Sequence, residues 1–249
     1  MNRSKRGAAA AFFGLMLLFL GACVLAGCRG GIPKEEVKEE VKEPQVVPER
    51  TDAPVYDART VAKLLHLPYT EEELAVFGPP PAPRLGFITF FDPGWSVWKF
   101  SDFPAHTRFE GKDAPRWWLD FLSTFGHSEV QGRTEAPRYR QIRMGPVPGS
   151  FGKKWEEQCA LLSPQEEVPH VRQVLAALLI HRSMTGELLF LRGYWVQCAD
   201  VLHYSDTTVV SRVNIGEPGW HRDSVWIGYN DPPNEVGANI GLASAWKLS

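Results

Sequence analysis

Apolar and polar positions alternate along this chain in distinct regimes. From Gly7 to Cys28 there is no charged residue, and the middle of the run reads AAAAFFGLMLLFLGACVLAG. A polar segment rich in Lys, Glu and Pro follows, and only then does a mixed pattern begin. Asp57 to Leu67 has Val61, Leu64 and Leu65 on one side, the spacing of a short amphipathic helix. Thr70 and Glu73 form a capping-box pattern ahead of Leu74, Val76 and Phe77, and Gly78 with PPPAP ends that helix. In RLGFITFFDPGWSVWKF two aromatic, β-branched runs flank Asp92-Pro93-Gly94, which predicts a β-hairpin. Asp113 is placed to cap a helix in which Trp117, Trp118, Phe121, Leu122 and Phe125 recur at helical spacing. Arg138 to Met144 alternates as a strand does.

GPVPGSFG, Gly145 to Gly152, is the sharpest internal break. Beyond it Val168 to Met184 contains VLAALLI, apolar almost all round, which predicts a buried helix stopped at Thr185-Gly186. Strand-like runs follow at Gly193–Ala199, Thr207–Ile215, Ser224–Tyr229 and Ile240–Leu248, with turns at Glu217-Pro-Gly219 and Asp231-Pro-Pro233. One buried helix laid on an antiparallel β-meander hides the apolar face of each, so the expected class is α+β. The expected divisions are a leader at 1–27, a linker at 28–54, an N-terminal helix and hairpin lobe at 55–144, and a C-terminal α+β lobe at 153–249.

The leader starts with Arg3, Lys5 and Arg6 before any acidic residue. A basic start, an apolar run and small residues before a cut are the marks of an export signal. The same run is long enough to cross a bilayer uncleaved, at roughly 20 residues. Its end, Leu25-Ala26-Gly27-Cys28, resembles the lipobox of bacterial lipoproteins. The resemblance implies that Cys28 carries a diacylglyceryl group on its sulfur and becomes the mature N-terminus after cleavage at Gly27. It implies membrane attachment through lipid, since two or more acyl chains hold a protein stably where one does not. Cys23 would leave with the signal, and Arg29 in place of Asp favours the outer membrane if the cell has two.

Lys34 to Glu43, KEEVKEEVKE, has three lysines and five glutamates and only two valines. Such a composition cannot form a core. With Pro33, Pro44 and Pro48 around it, it reads as an extended charged spacer. Loss of the three leader cations takes the formal charge from −2 to −5, and the body from Ala53 onward carries −3. No basic patch points to nucleic acid.

Candidate chemistry is sparse. There is no nucleophile elbow, zinc-binding HExxH, phosphate loop or CxxC, and neither metal nor cofactor is expected. Asp200 and His203 make the best local cluster, with Asp223 as an outlying partner, but residues three apart in a strand face opposite sides. His181, late in the buried helix, reads as a structural histidine. Cys159 and Cys198 are consistent with a disulfide in an exported body, and equally with two buried thiols. All nine tryptophans follow the linker, and Trp220 with Trp226 is the pair best placed for an exposed aromatic binding patch. The sequence therefore predicts a lipid-anchored envelope module that binds a protein or a glycan without catalysis. An exported enzyme acting on cell wall or glycans is the alternative.

Overall fold

The computed structural model describes residues 52–101, 130, 132–187, 189–190, 194–203, 210–216, 226–229 and 237–248. The leader with Cys28, the spacer up to residue 51, the helix expected after Asp113, and Trp220 and Asp223 lie outside the described residues. Of Trp226 and His203 only the strand backbone is described.

The first sheet forms around β2, Phe87–Asp92, whose six residues are all buried. β1, Val55–Tyr56, lies parallel to it, with Tyr56 opposite Phe90. β3, Arg138–Arg143, runs antiparallel on the other side, in register from Phe87 opposite Arg143 to Asp92 opposite Arg138. β9, Ala245–Trp246, and β4, Glu166–Glu167, complete the order β1-β2-β3-β9-β4. The second sheet has the order β7-β6-β5-β8. Its meander is β5, Trp195–His203, β6, Val210–Gly216, and β7, Trp226–Tyr229, all antiparallel neighbours, while β8, Ile240–Leu242, joins β5 in parallel.

Five helices flank the strands among the described residues: α1, Ala58–Leu64; α2, Glu71–Val76; α3, Val97–Ser101; α4, Trp155–Cys159; and α5, Val171–Thr185. α1 begins where the Thr60 amide donates to Asp57 Oδ1 at 2.7 Å, and α2 carries the expected reciprocal cap between Thr70 and Glu73. α5 is the predicted buried helix. Residues 171–178, Ile180 and His181 are buried, and Gly186 ends it in the left-handed conformation at φ 77°, its amide on the Arg182 carbonyl. It packs against β2 and β3 of the first sheet and β5 and β6 of the second. Full burial of Leu175, Leu178 and Ile180 contributes about 1.5–3 kcal/mol each before the entropy of ordering the chain. The α+β class is thus observed, with the longest helix among the described residues packed on the antiparallel meander of the second sheet and also on the mixed first sheet.

Three expectations need correction. The hairpin at Asp92-Pro93-Gly94 does not form: β2 pairs with β3, and the segment after the turn is α3. Ser96 is the reason. Its Oγ accepts from the Lys99 amide at 3.1 Å and its carbonyl from Phe100, so Val97 and Phe100 fall together on the buried face of a helical turn. The break at 145–152 does not separate two lobes, because β3 before it pairs with β9 after it and both halves share one core. That loop is itself docked: the Leu242 amide donates to Ser150 Oγ at 2.9 Å, and the Val147 amide to the Leu242 carbonyl. Finally, the run expected as one strand over 240–248 breaks at Ala243-Ser244. β8 goes to the second sheet and β9 to the first.

Candidate functional site

The two faces of β3 alternate in chemistry. Arg140 and Ile142 face α5, while Tyr139, Gln141 and Arg143 face the other side. Arg140 meets Asp92 from β2 and Glu135 from the loop before β3, and Arg172 from the first turn of α5 meets the same two carboxylates. Arg172 holds Asp92 with both terminal nitrogens, at 3.0 and 2.9 Å, and reaches Glu135 at 3.0 Å. Arg140 donates to Asp92 through Nε and to Glu135 through a terminal nitrogen. Asp92 is fully buried and Arg172 nearly so. Two carboxylates and two guanidiniums therefore neutralise one another out of water. Burial alone pushes the Glu135 carboxyl up, but the charges of Arg140 and Arg172 outweigh it and hold the group at about 2. Burial pulls Arg172 down, and Asp92 with Glu135 outweighs that and raises it. Arg172 Nε is buried without a hydrogen-bond partner among the described residues. Gly94 brings the two loops together: a Cβ there would sit 1.9 Å from the Glu135 carbonyl oxygen, on a residue whose φ is already +74°.

Beside this network, β3 borders an open cleft of about 530 Å³. Its walls are Arg138, Tyr139 and Arg140 on one side and Glu167, Trp246, Lys247 and Leu248 on the other. The cleft exists because β9 ends early. The Arg143 amide donates to Ser244, and Gln141 lies opposite Trp246, so alternate residues of β3 bond toward β9. Tyr139 is the next residue in that phase, but the pairing of β3 with β9 stops at Trp246, while the chain after β9 stays with the β4 side through the Lys247 amide on the Gln165 carbonyl. The backbone groups of Tyr139 thus stand at an open strand edge. The Arg84 guanidinium stacks 3.2 Å from the centre of the Trp246 ring, and Phe87 meets the same ring edge-on.

Of the groups singled out in the sequence, the described Asp200, His181, Cys159 and Cys198 do not line this cleft. Asp200 is turned to the start of α5: Oδ2 accepts from the Val171 amide at 2.6 Å, and Oδ1 lies 3.0 Å from His170 Nδ1. Arg133 completes this group, 3.1 Å from His170 Nδ1 and 3.8 Å from Asp200. His170 is therefore the histidine that Asp200 meets in space, although it is thirty residues distant in the chain. His181 is buried with Nδ1 3.0 Å from the Tyr56 hydroxyl, as a structural histidine should be.

Cys159 and Cys198 are free thiols, which corrects the disulfide reading. Cys198 belongs to the core face of β5, where burial, and then the Asp200 charge, raises its pKa well above the ordinary value. Cys159 ends the outer helix α4 beside Arg212, and there too burial raises its pKa. The expected alternation of β7 holds at Ile227, which is buried. Among the described residues the tryptophan lining the cleft is Trp246, which the sequence left among the nine without distinction. Its signal was its place two residues after the Ala243-Ser244 break.

Among the described residues no group of three or more His, Cys, Asp or Glu side chains is arranged to hold a metal ion. Among them, too, no helix is long and apolar enough to cross a membrane. Comparison with known proteins yields no match to a family model, to a curated protein or to a solved structure.

Proposed function

We propose that this chain is a lipid-anchored envelope protein whose body binds another envelope component through the cleft between β3 and Trp246, without chemistry of its own. The anchor rests on the lipobox-like Leu25-Ala26-Gly27-Cys28. The binding role rests on one observation: the cleft combines an open strand edge and an aromatic wall, while its one buried charge, Arg140, is already neutralised by Asp92 and Glu135. Catalysis asks for titratable groups free to exchange a proton with a substrate. Asp200, the carboxylate most suited to such a role from sequence, is committed to the first amide of α5 and to His170. The volume lies within the range of ligand pockets, roughly 300–1,000 Å³.

Two measurements test this. Cys28→Ser should move the protein from the membrane fraction to the soluble fraction or stall its maturation; unchanged attachment overturns the anchor. A photocrosslinking residue at Arg138, installed in living cells, should give one discrete adduct, and the same residue at the exposed Val76 should give none. Matching adduct patterns at the two positions, or none at Arg138, overturn the cleft as the binding site.

A further inference from the structure

Strand alternation sorts the cleft walls by chemistry. Arg138 shares the phase of Arg140 on β3, and across the cleft Lys247 shares that of Ala245, so the three cations lie toward one side of the sheet. Tyr139, Trp246 and Leu248 lie toward the other. Arg140 is spent on its buried carboxylates, but the Arg138 side chain is 61% exposed and among the described residues meets only Glu135, at 3.5 Å, while Lys247 is exposed with Nζ on the Pro164 carbonyl. Among the described residues Glu167 is the one carboxylate lining the cleft, so two accessible cations face one anion there. Between these walls stands the unpaired edge at Tyr139.

We infer that the cleft takes an extended peptide as an added strand against Tyr139, one whose side chains alternate between carboxylate and apolar. Backbone hydrogen bonds to a free edge supply affinity, and alternate side chains supply specificity. A residue opposite Arg138 or Arg140 falls on the cationic side, where an opposite charge is favoured. The residues between fall on the side of Tyr139, Trp246 and Leu248, where apolar groups are favoured. The chain's own spacer has a different pattern. If extended, it places Glu35, Val37, Glu39, Val41 and Glu43 on one face and lysines with glutamates on the other. The occupant is therefore a separate polypeptide. This inference rests on the binding role proposed above and names the partner's chemistry.

The test uses the full chain purified in detergent and dye-labelled hexapeptides read by fluorescence polarisation. Glu-Val-Glu-Val-Glu-Val should bind at least tenfold more tightly than Lys-Val-Lys-Val-Lys-Val. Methylation of its alternate backbone nitrogens should abolish binding, because the added strand then has no donors. Hydrogen exchange at the Tyr139 amide should slow when the acidic peptide is added. The Arg138→Glu, Lys247→Glu double variant changes only exposed side chains and should reverse the preference. Equal binding of both peptides, unchanged exchange at Tyr139, or no binding by either overturns the inference. Tighter binding of the acidic peptide after deletion of residues 33–51 overturns it too, because the spacer itself is then the occupant. The crosslink at Arg138 is scored separately, so a cleft that binds some other partner is told apart from a cleft that binds none.

Discussion

Arg172 and Asp92 form a two-pronged ion pair at 2.9 and 3.0 Å, with both side chains at most 1% exposed. It pins the first turn of α5 to the end of β2, and so fixes the edge from which β3 presents Arg138 and Tyr139 to the cleft. Taking charges out of water is costly, and a partner left behind has no compensation. Arg172→Met should therefore destabilise the protein by about 3–5 kcal/mol. The Asp92→Leu, Arg172→Met double variant should recover most of that loss, because Arg140 and Glu135 remain to neutralise each other. Urea unfolding of the three proteins measures this. A double variant no better than the single would mean that the pair cannot be exchanged for packing.

The same network makes stability depend on pH. Glu135 is held at about 2 by Arg140 and Arg172, against an ordinary value of 4.5. A carboxyl depressed in the folded state binds protons more readily once unfolded, so folding gains from it above pH 4.5. That gain is lost as pH falls from 4.5 toward 2. Glu166 is depressed as well, where bonds from Arg143 and Ser244 outweigh the effect of burial, and contributes in the same direction. Thermal unfolding should show a falling Tm across this window. Glu135→Gln should lower Tm at pH 7 and converge with the parent near pH 2. A constant gap at all pH values would show that Glu135 acts by shape and not by charge.

Legibility from sequence followed the range of the interaction. α5 was readable from VLAALLI and Gly186, and α2 from Thr70 and Glu73, because those signals lie within a few residues of what they specify. The β5–β6–β7 meander was readable because its strands are neighbours in the chain. The hairpin reading failed where two local signals competed, since aromatic residues at Trp95, Trp98 and Phe100 suit a strand while Ser96 starts a helix. Arg172 was hidden by the apolar residues after it, and only a carboxylate eighty positions earlier explains its place in a buried helix. The cleft was least legible of all. It depends on where β9 leaves β3, which involves residues more than one hundred positions apart in the chain.

The thiols offer a direct check on the core. Cys198 is fully buried in β5 and Cys159 partly exposed at the end of α4. Denatured, unreduced body should therefore titrate two free thiols at these positions. In the native protein Cys159 should react with a thiol reagent slowly, its thiol being held protonated by burial, and Cys198 should react only on unfolding. Mapping the modified peptides by mass spectrometry assigns each site. A tryptic fragment joining residues 159 and 198 would contradict the structure.

Asp200 carries the last prediction, because one side chain distinguishes a cap from a catalyst. Its Oδ2 receives the Val171 amide at 2.6 Å, one of the otherwise unpaired donors at the start of α5, and the site is buried. Asp200→Ala leaves that amide without a partner and should cost about 1–3 kcal/mol. Asp200→Asn keeps an acceptor in place but gives up the charge that favours the helix start, so its cost should be smaller. For a cap, binding by the cleft should be unaffected by either variant at temperatures where both are folded, since Asp200 does not line it. For a catalytic carboxylate, Asn would be as damaging as Ala while stability stayed at the parental level. Measuring unfolding and peptide binding on both variants therefore separates the two roles. A parental Tm in Asp200→Ala would sink the capping role.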